Sequence, residues 1–560
     1  MQPINPEKFE IRNSIHETIL DTCREFPEKT AIIGHGGEGV RYSYGDIEAL
    51  VAKIAGGLHA GGFGRGDRIA ILSENCPEWP LAYLAILAAG CAVVPFDASL
   101  KATELTKFLR VSRVKLLLCS AKWHRAAADV IALNDLPIRI ATLPVDDPHS
   151  LIARAEPEPY VAPDVAAEDT AVIIYTSGTT GDPKGVVLTH GNILANLESI
   201  IRTVVIYPND IFLSVLPLHH TFEATCGFLF PLYTGLTIVY ARSLRSRDLF
   251  ADIQHNRATF LVGVPILFEK LYLAISRRMQ DLPLPKRLSF KTLYAGRKVG
   301  WKLGVNVGPT LFKSLRTKAG LGSIRMLISG GAPLPQRVAE WFNLIGFSFL
   351  PGYGLTECSP VVSVARLDDI RFDSVGPPLP GVKVAIDNPS RDGIGEIKVR
   401  GGNNTPGYLD NPDATAELIK EGWLYTGDLG KIEKGHLYIT GRKKNLIVSG
   451  GGKNIYPEEI EGELNLSDYI LESLVFGKEK VGKAGEEIWA VIVPDVELIK
   501  SVQPDREKEP SPKDIRDLLE KEVAAVNHRL ADYKRIVRFE VRMDEFEKTS
   551  TRKIKRRLYI

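Results

Sequence analysis

The chain has no C-x-x-C pair. Its six cysteines, Cys23, Cys76, Cys91, Cys119, Cys226 and Cys358, are scattered, which argues against a zinc site and suits reduced thiols acting as small core residues. It also lacks the run of ~20 apolar residues that a membrane-spanning helix needs. The richest stretch, Ile211 to Tyr240, is broken by His219, His220, Glu223 and Pro231. Charge of one sign is missing as well: 70 Lys and Arg against 68 Asp and Glu leave +2. No global basic field therefore points to nucleic acid, and any membrane contact has to be local. The opening MQPINPEKFEIRNS has no apolar core behind a basic start, so no secretory signal is expected. The expected location is the cytoplasm, with peripheral contact at the inner face of a membrane as the one alternative.

What is present suffices for more than one core, since 560 residues, 44% of them hydrophobic, exceed the length of one domain. Apolar residues at helical spacing run from Ser14 to Phe26, and Lys29 to Tyr44 turns β-like around glycines. Gly34, Gly36 and Gly39 there satisfy G-x-G-x-x-G. The VRYSY that follows alternates like a strand, however, where a dinucleotide site needs a helix N-terminus, so these glycines are expected to form a hairpin turn. Ser43 and Asp46 make a capping box for a helix running toward His59. From Asp67 to Leu143 short apolar strands (RIAIL, CAVVPF, KLLLC, IRIATL) alternate with helical stretches such as Trp79 to Ala89 and Ala102 to Val111, which implies parallel β-α-β layers. Glu156 to Asp169, rich in Pro, Ala and acidic residues, reads as a surface connection.

That connection leads to YTSGTTGDPKGVVLTH, Tyr175 to His190, between two short β-type runs. Thr176, Ser177, Thr179 and Thr180 offer hydroxyl donors, Gly178, Gly181 and Gly185 let backbone N–H groups turn toward an anion, and Lys184 adds positive charge. The stretch reads as a phosphate loop. It is not a Walker loop, because Lys184 precedes Gly185 and Val186 follows. On composition alone a Gly/Ser/Thr cluster of this kind is most often a surface turn.

The stretch resembles the signature loop of the AMP-forming adenylate ligases, the superfamily of acyl-CoA synthetases, nonribosomal-peptide adenylation domains and firefly luciferase. Further segments, in order, are similar to that family's other motifs. IFLSVLPLHHTFE, Ile211 to Glu223, resembles a motif whose aromatic or histidine swings over the carboxylate pocket, a place that His220 fits. His219, His220 and Glu223 also look like a metal cluster, but adjacent histidines on an extended chain point to opposite sides, so both are not expected to bind one ion. Amino-acid-activating relatives carry an aspartate just after that aromatic; Thr221 stands here, which favours a plain carboxylic acid. HTFE together with LYAGRKVG, Leu293 to Gly300, is most similar to the long-chain fatty-acid branch.

MLISGGAPLP, Met326 to Pro335, and PGYGLTECSP, Pro351 to Pro360, resemble the family's nucleotide-binding strand ends. The resemblance implies Gly330, Gly331 and Ala332 against the adenine, Tyr353 stacked on its face beside Gly354, Thr356 on the α-phosphate and Glu357 holding Mg2+. In GWLYTGDLG, Gly422 to Gly430, it implies that Asp428 accepts from the ribose hydroxyls. In GRKKNLIVSGGGKNIYPEEIE, Gly441 to Glu461, it implies Arg442 at the ribose, Lys444 as hinge, and Gly450, Gly451 and Gly452 near pantetheine. The final EKTSTRKIKRR, Glu547 to Arg557, puts Lys553 in the catalytic lysine's place. Glu547 and Arg552 replace the Pro and Gly usual there, and a basic run of this kind can also be a solvated or membrane-surface segment.

Between these motifs, helical and strand patterns alternate (Pro457 to Leu464, LESLVF, EIWAVIVP, Ile515 to Ala531), and Lys500 to Lys513 reads as a solvated loop. The family implies an α/β fold. Its large N-terminal domain of layered α/β subdomains with a small β-subdomain, residues 1–441, is followed by a small mobile α+β domain, residues 442–560. It implies ATP, Mg2+ and coenzyme A as cofactors and co-substrate, a fatty acid as the partner substrate, and no nucleic acid. Seven residues follow Lys553 without a carrier domain, so the acceptor is expected to diffuse in. The alternatives are an acyl-AMP ligase loading a separate carrier protein, a ligase of aryl or short-chain acids, and a nucleotide or acyl-adenylate sensor.

Overall fold

In the computed structural model, the described residues are 2–37, 39–143, 163–176, 183–280, 282–304, 308–479, 485–502, 509–549 and 554–560. Strand after strand in the first half is a short continuous apolar run, and such runs are stable only when both faces are covered. Arg68–Leu72, Ala92–Phe96 and Leu116–Cys119 are indeed parallel neighbours buried over most of their lengths, and Arg139–Thr142, parallel at the edge, is buried in its last two residues. With Thr170–Thr176, Lys184–Thr189 and Gly407–Tyr408 they form, among the described residues, a seven-stranded sheet. An eight-stranded sheet runs from Val361–Val364 through Ser348–Gly354, Met326–Ser329, Phe260–Gly263, Ile211–Ser214, Thr237–Tyr240 and Thr30–Ile33 to Arg41–Ser43.

The helix Glu78–Ala88 is apolar on every side and buried from Trp79 onward, as a helix between layers must be. Trp79 stacks on Tyr83 at 5.3 Å and meets the edge of Phe228 at 5.9 Å. The glycine cluster after Ile33 makes the expected hairpin, with Thr30–Ile33 antiparallel to Arg41–Ser43. The Ser43–Asp46 capping box opens the helix Tyr44–Ala60. A buried ion pair stitches the second sheet: Arg325 Nε donates to Asp210 Oδ1 at 2.7 Å, and Thr259 Oγ1 donates to the same oxygen at 2.8 Å. An almost fully buried carboxylate is tolerable only when satisfied in this way.

A third, antiparallel sheet carries Lys383–Asp387, Gly395–Arg400, Trp423–Glu433 and His436–Arg442. After it, Ile447, Ile460, Leu464, Ile492 and Leu519 belong to a separate core, built on the strands Ile470–Glu479, Glu486–Pro494 and Arg538–Val541. Arg277 to Asp468 (3.1 Å) and Arg337 Nη2 to the Leu466 carbonyl (2.9 Å) join this part to the preceding one. The α/β layering and the β-containing C-terminal domain agree with the expected fold class. The solvated loop expected over Lys500 to Lys513 is shorter than that, since Val496–Val502 and Pro512–Arg529 are helical; residues 503–508 lie outside the described ones. The first half of the Glu156 to Asp169 connection, residues 156–162, does too. All six cysteines are free and four of them are buried. Burial pushes thiols such as Cys23 up to about 12, so they pack as small apolar groups. No described helix is long and apolar enough to cross a membrane.

Candidate active site

The glycine-rich loop is held at its two ends by a β-ladder. Thr170–Thr176 pairs antiparallel with Lys184–Thr189, with Thr176 opposite Lys184. Ser177, Gly178, Thr179, Thr180 and Gly181, between them, lie outside the described residues. Gly185 is needed for close packing, because a Cβ there would come within 3.1 Å of Ile173 and 3.2 Å of Tyr175. The Lys184 ammonium lies 5.0 Å from the centre of the Tyr408 ring, and the Tyr408 hydroxyl donates to Glu357 Oε1 at 2.9 Å. The loop's lysine and the carboxylate expected to hold the metal are thus linked through one tyrosine.

The parallel strands Met326–Ser329 and Ser348–Gly354 end side by side, and their carboxyl ends deliver Gly330–Ala332 and Tyr353–Glu357 to the crevice where open α/β sheets bind ligands. Gly330 is buried, and a Cβ on it would sit 3.0 Å from Phe222. The Tyr353 hydroxyl donates to Asp428 Oδ2 at 2.8 Å, and Arg442 Nε donates to Oδ1 at 2.9 Å. Asp428 and Arg442 are directly opposite each other on neighbouring strands. The Coulombic pull of Asp428 raises the Arg442 pKa, so the pair is ionic. A carboxylate has about four lone-pair sites, and these two donors leave room for more.

On the far side, the strand Ile211–Ser214 ends and a turn closes with His220 N–H donating to the Pro217 carbonyl at 3.1 Å. The extended-chain argument for the two histidines therefore fails. The turn brings the rings of His219 and His220 to 4.1 Å. Burial pulls His219 down to about 4, so it is neutral near pH 7, 3.7 Å from Asp97. His220 is half-buried and lines the cleft. Glu223 instead faces the core, receiving a hydrogen bond from Ser214 Oγ at 2.5 Å, and burial lifts its carboxyl to about 8.

The cleft, of about 1950 Å3, is lined by Thr176, Lys184, His220, Gly330–Ala332, Tyr353–Glu357, Asp428, Arg442 and Lys444. Lys444 sits in the turn Lys443–Asn445, between an ion pair from Lys443 to Glu396 (2.8 Å) and a hydrogen bond from Asn445 to Glu458 (2.6 Å). Gly450, Gly451 and Gly452 cap the hairpin Ile447–Val448 and Asn454–Ile455 and are exposed; they are not among the residues that line the cleft. Lys553 lies outside the described residues. Its neighbours Lys548, Thr549 and Ile554 line the same cleft, and Lys548 bridges to Ile554. The base of that segment is anchored: Arg556 pairs with Glu461 at 2.7 Å, and Lys548 pairs with Glu472. Tyr408, Phe222 and Asp97 were missed by sequence reasoning. Each reaches the site from a distant segment, and no local pattern marks it.

A single carboxylate with one oxygen hydrogen-bonded by Tyr408 fits Mg2+, which demands few protein ligands when phosphates supply others. Fold and cleft together define the class, an adenylate-forming enzyme. In agreement, the ATP-bound MatB of Rhodopseudomonas palustris superposes with a TM-score of 0.76 over 98% of both chains at 26% identity. A feruloyl-CoA synthase of Amycolatopsis is 29% identical over 84% of this chain and 87% of its own. A long-chain-fatty-acid–CoA ligase of Mycobacterium bovis is 30% identical over 77% of this chain and 74% of its own. The chain belongs to the AMP-binding enzyme family, whose pattern it matches over residues 19–409.

Proposed function

We propose that the chain is an AMP-forming acid–thiol ligase that activates a long-chain fatty acid as its acyl adenylate and passes the acyl group to coenzyme A. The ligase chemistry is supported by family membership and by acyl-CoA ligases among the relatives. For the long chain, the observation that carries the reading is the apolar part of the cleft lining, which includes Phe212, Phe260 and Val262 from strands of the second sheet together with Ile200, Val204 and Phe230. An aliphatic tail buried there gains about 0.8 kcal/mol per methylene.

A carboxylate is a poor acyl donor because its leaving group would be oxide. In the proposed first step the carboxylate oxygen attacks the α-phosphorus of ATP and pyrophosphate leaves. Both reactants are anionic, so charge neutralisation and positioning dominate. We assign Lys184, Lys553, Thr356 and the Thr176–Gly181 donors to the phosphates, Asp428 and Arg442 to the ribose, Tyr353, Gly354 and Gly330–Ala332 to the adenine, and His220 to the mouth of the acid pocket. Mg2+ held by Glu357 would neutralise phosphate oxygens. In the second step the thiol attacks the acyl carbon and AMP leaves. A thiol of pKa ~8.5 needs no strong base near neutral pH.

The proposed domain boundary follows Gly441. Lys444 is the hinge, and a rotation about it brings Gly450–Gly452 toward the thiol. Their absence from the cleft lining fits a conformation suited to the first step. The test is thioester and AMP production from acetate, ferulate, decanoate, palmitate and oleate, with and without coenzyme A. Thioester formed with coenzyme A, and fastest with the longest chains, is expected. Ferulate or acetate preferred over palmitate would overturn the substrate assignment, and adenylate without any coenzyme A product would move the acceptor to a carrier protein.

A further inference from the structure

Charge is nearly balanced over the whole chain but not along it. Between Arg277 and Lys318 stand eleven Lys and Arg against a single acidic residue, Asp281, while the total is only +2. The remainder of the chain is therefore net negative. This basic segment includes the helix Leu284–Lys302, which carries no Asp or Glu. One face is fixed inward. Phe290 meets Phe312 at 5.6 Å, Arg297 is 2% exposed and lies 4.9 Å from Trp301, and Trp301 contacts Phe372 at 5.2 Å.

The opposite face is apolar too. Leu284, Leu288 and Val299 are 66%, 56% and 61% exposed, and Leu303, just past the end, is 74% exposed. At 100° per residue Leu284, Leu288 and Val299 lie within about 60° of arc, so they form one stripe. Beside the stripe, at about 300° and 340° on the same scale, stand Arg287, half-buried, and Lys291, exposed, and Lys298 is paired with Glu340 at 2.7 Å.

We propose that the helix Leu284–Lys302 is the docking surface of this protein for an anionic lipid bilayer. The apolar stripe enters the headgroup boundary with the helix in the plane of the surface, and Arg287 and Lys291, which flank the stripe on one side, meet lipid phosphates. Charge selects this occupant over others. A second copy would present the same positive face and be repelled. A nucleic acid would satisfy the cations but leave the leucines in water. The net-negative remainder of the chain is pushed away from an anionic surface, which orients the molecule with this helix down. The helix is also next to the cleft, because Phe372, which Trp301 touches, lines it. A membrane-dissolved acid would thus be met close to the site, although the docking itself does not depend on the substrate assignment.

The experiment is co-sedimentation of the full chain with vesicles of phosphatidylcholine alone and of equal parts phosphatidylcholine and phosphatidylglycerol, at low and high salt. Binding is expected on the anionic vesicles only, weakened by salt. At ~1 kcal/mol per cation, R287Q/K291Q should bind about 25-fold more weakly. L284S/L288S should lose about 10-fold or more, including the binding that survives high salt. Both variants should turn over a short soluble acid like the wild type without vesicles, so that loss of the ligase reading is distinguishable from loss of docking. Absence of binding, equal binding to neutral vesicles, or wild-type binding by L284S/L288S would overturn the proposal. So would binding to duplex DNA as tight as to anionic vesicles.

Discussion

Replacing Asp428 by Asn isolates the charge at the centre of the nucleotide site while keeping its shape. Each carboxylate oxygen accepts one hydrogen bond inside the protein, from Tyr353 and from Arg442. Arg442 can only donate, so the amide oxygen must face it and the amide nitrogen must face the tyrosine oxygen, which can accept. The ribose then meets one neutral acceptor and one donor instead of a charged acceptor on both sides. Loss of one charge-assisted hydrogen bond, about 1.5–3 kcal/mol, corresponds to about 10- to 150-fold in affinity. Stability should hardly change, because the Arg442 side chain is 55% exposed and such a pair is screened by solvent. Calorimetric titration with AMP reads the affinity, and a 2′,3′-dideoxy analogue should bind wild type and variant alike. A folded variant that binds AMP as tightly as the wild type would refute the assignment of Asp428 to the ribose.

Other consequences follow from the same geometry. Tyr408→Phe keeps the ring beside Lys184 but removes the hydrogen bond to Glu357, so the Mg2+ concentration for half-maximal turnover should rise about 5-fold; an unchanged Mg2+ curve would contradict the link. Lys444→Pro should slow thioester formation far more than ATP–pyrophosphate exchange, and equal slowing would remove the hinge role. Burial lifts Glu223 from 4.5 to about 8. The folded protein therefore keeps a proton that the unfolded chain sheds above pH 4.5, and stability from this group falls as pH rises from about 4.5 to about 8, at up to ~1.4 kcal/mol per pH unit. Glu223→Gln should flatten the dependence of the unfolding midpoint on pH across that window, and parallel curves for the two proteins would show that the carboxyl is ionised.

What was legible in the sequence was local or periodic. The strands from Arg68 to Thr142 announced themselves as short apolar runs, and the Ser43–Asp46 box marked its helix start to the residue. Asp428 and Arg442 could each be expected at the ribose, but not as partners of one another, because a β-bulge between Leu429 and Gly430 sets their register. Tyr408 carries no mark in its own segment. Its place depends on pairing with Val186, more than two hundred residues earlier. The geometry of His219 and His220 was misread because the strand that seemed to run through them stops at Ser214. The docking helix escaped notice since its apolar residues occur on two faces, and only the packing of Phe290 and Trp301 reveals which face is left over.

The most direct test of the central claim, activation through an acyl adenylate, follows the oxygen atoms of the acid. Palmitate labelled with oxygen-18 in its carboxylate is incubated with the protein, ATP, Mg2+ and coenzyme A, and the nucleotide product is weighed by mass spectrometry. If the carboxylate attacks the α-phosphorus and the thiol later breaks the acyl carbon–oxygen bond, the AMP must carry one labelled oxygen. Unlabelled AMP, or ADP with the label in inorganic phosphate, would contradict the account.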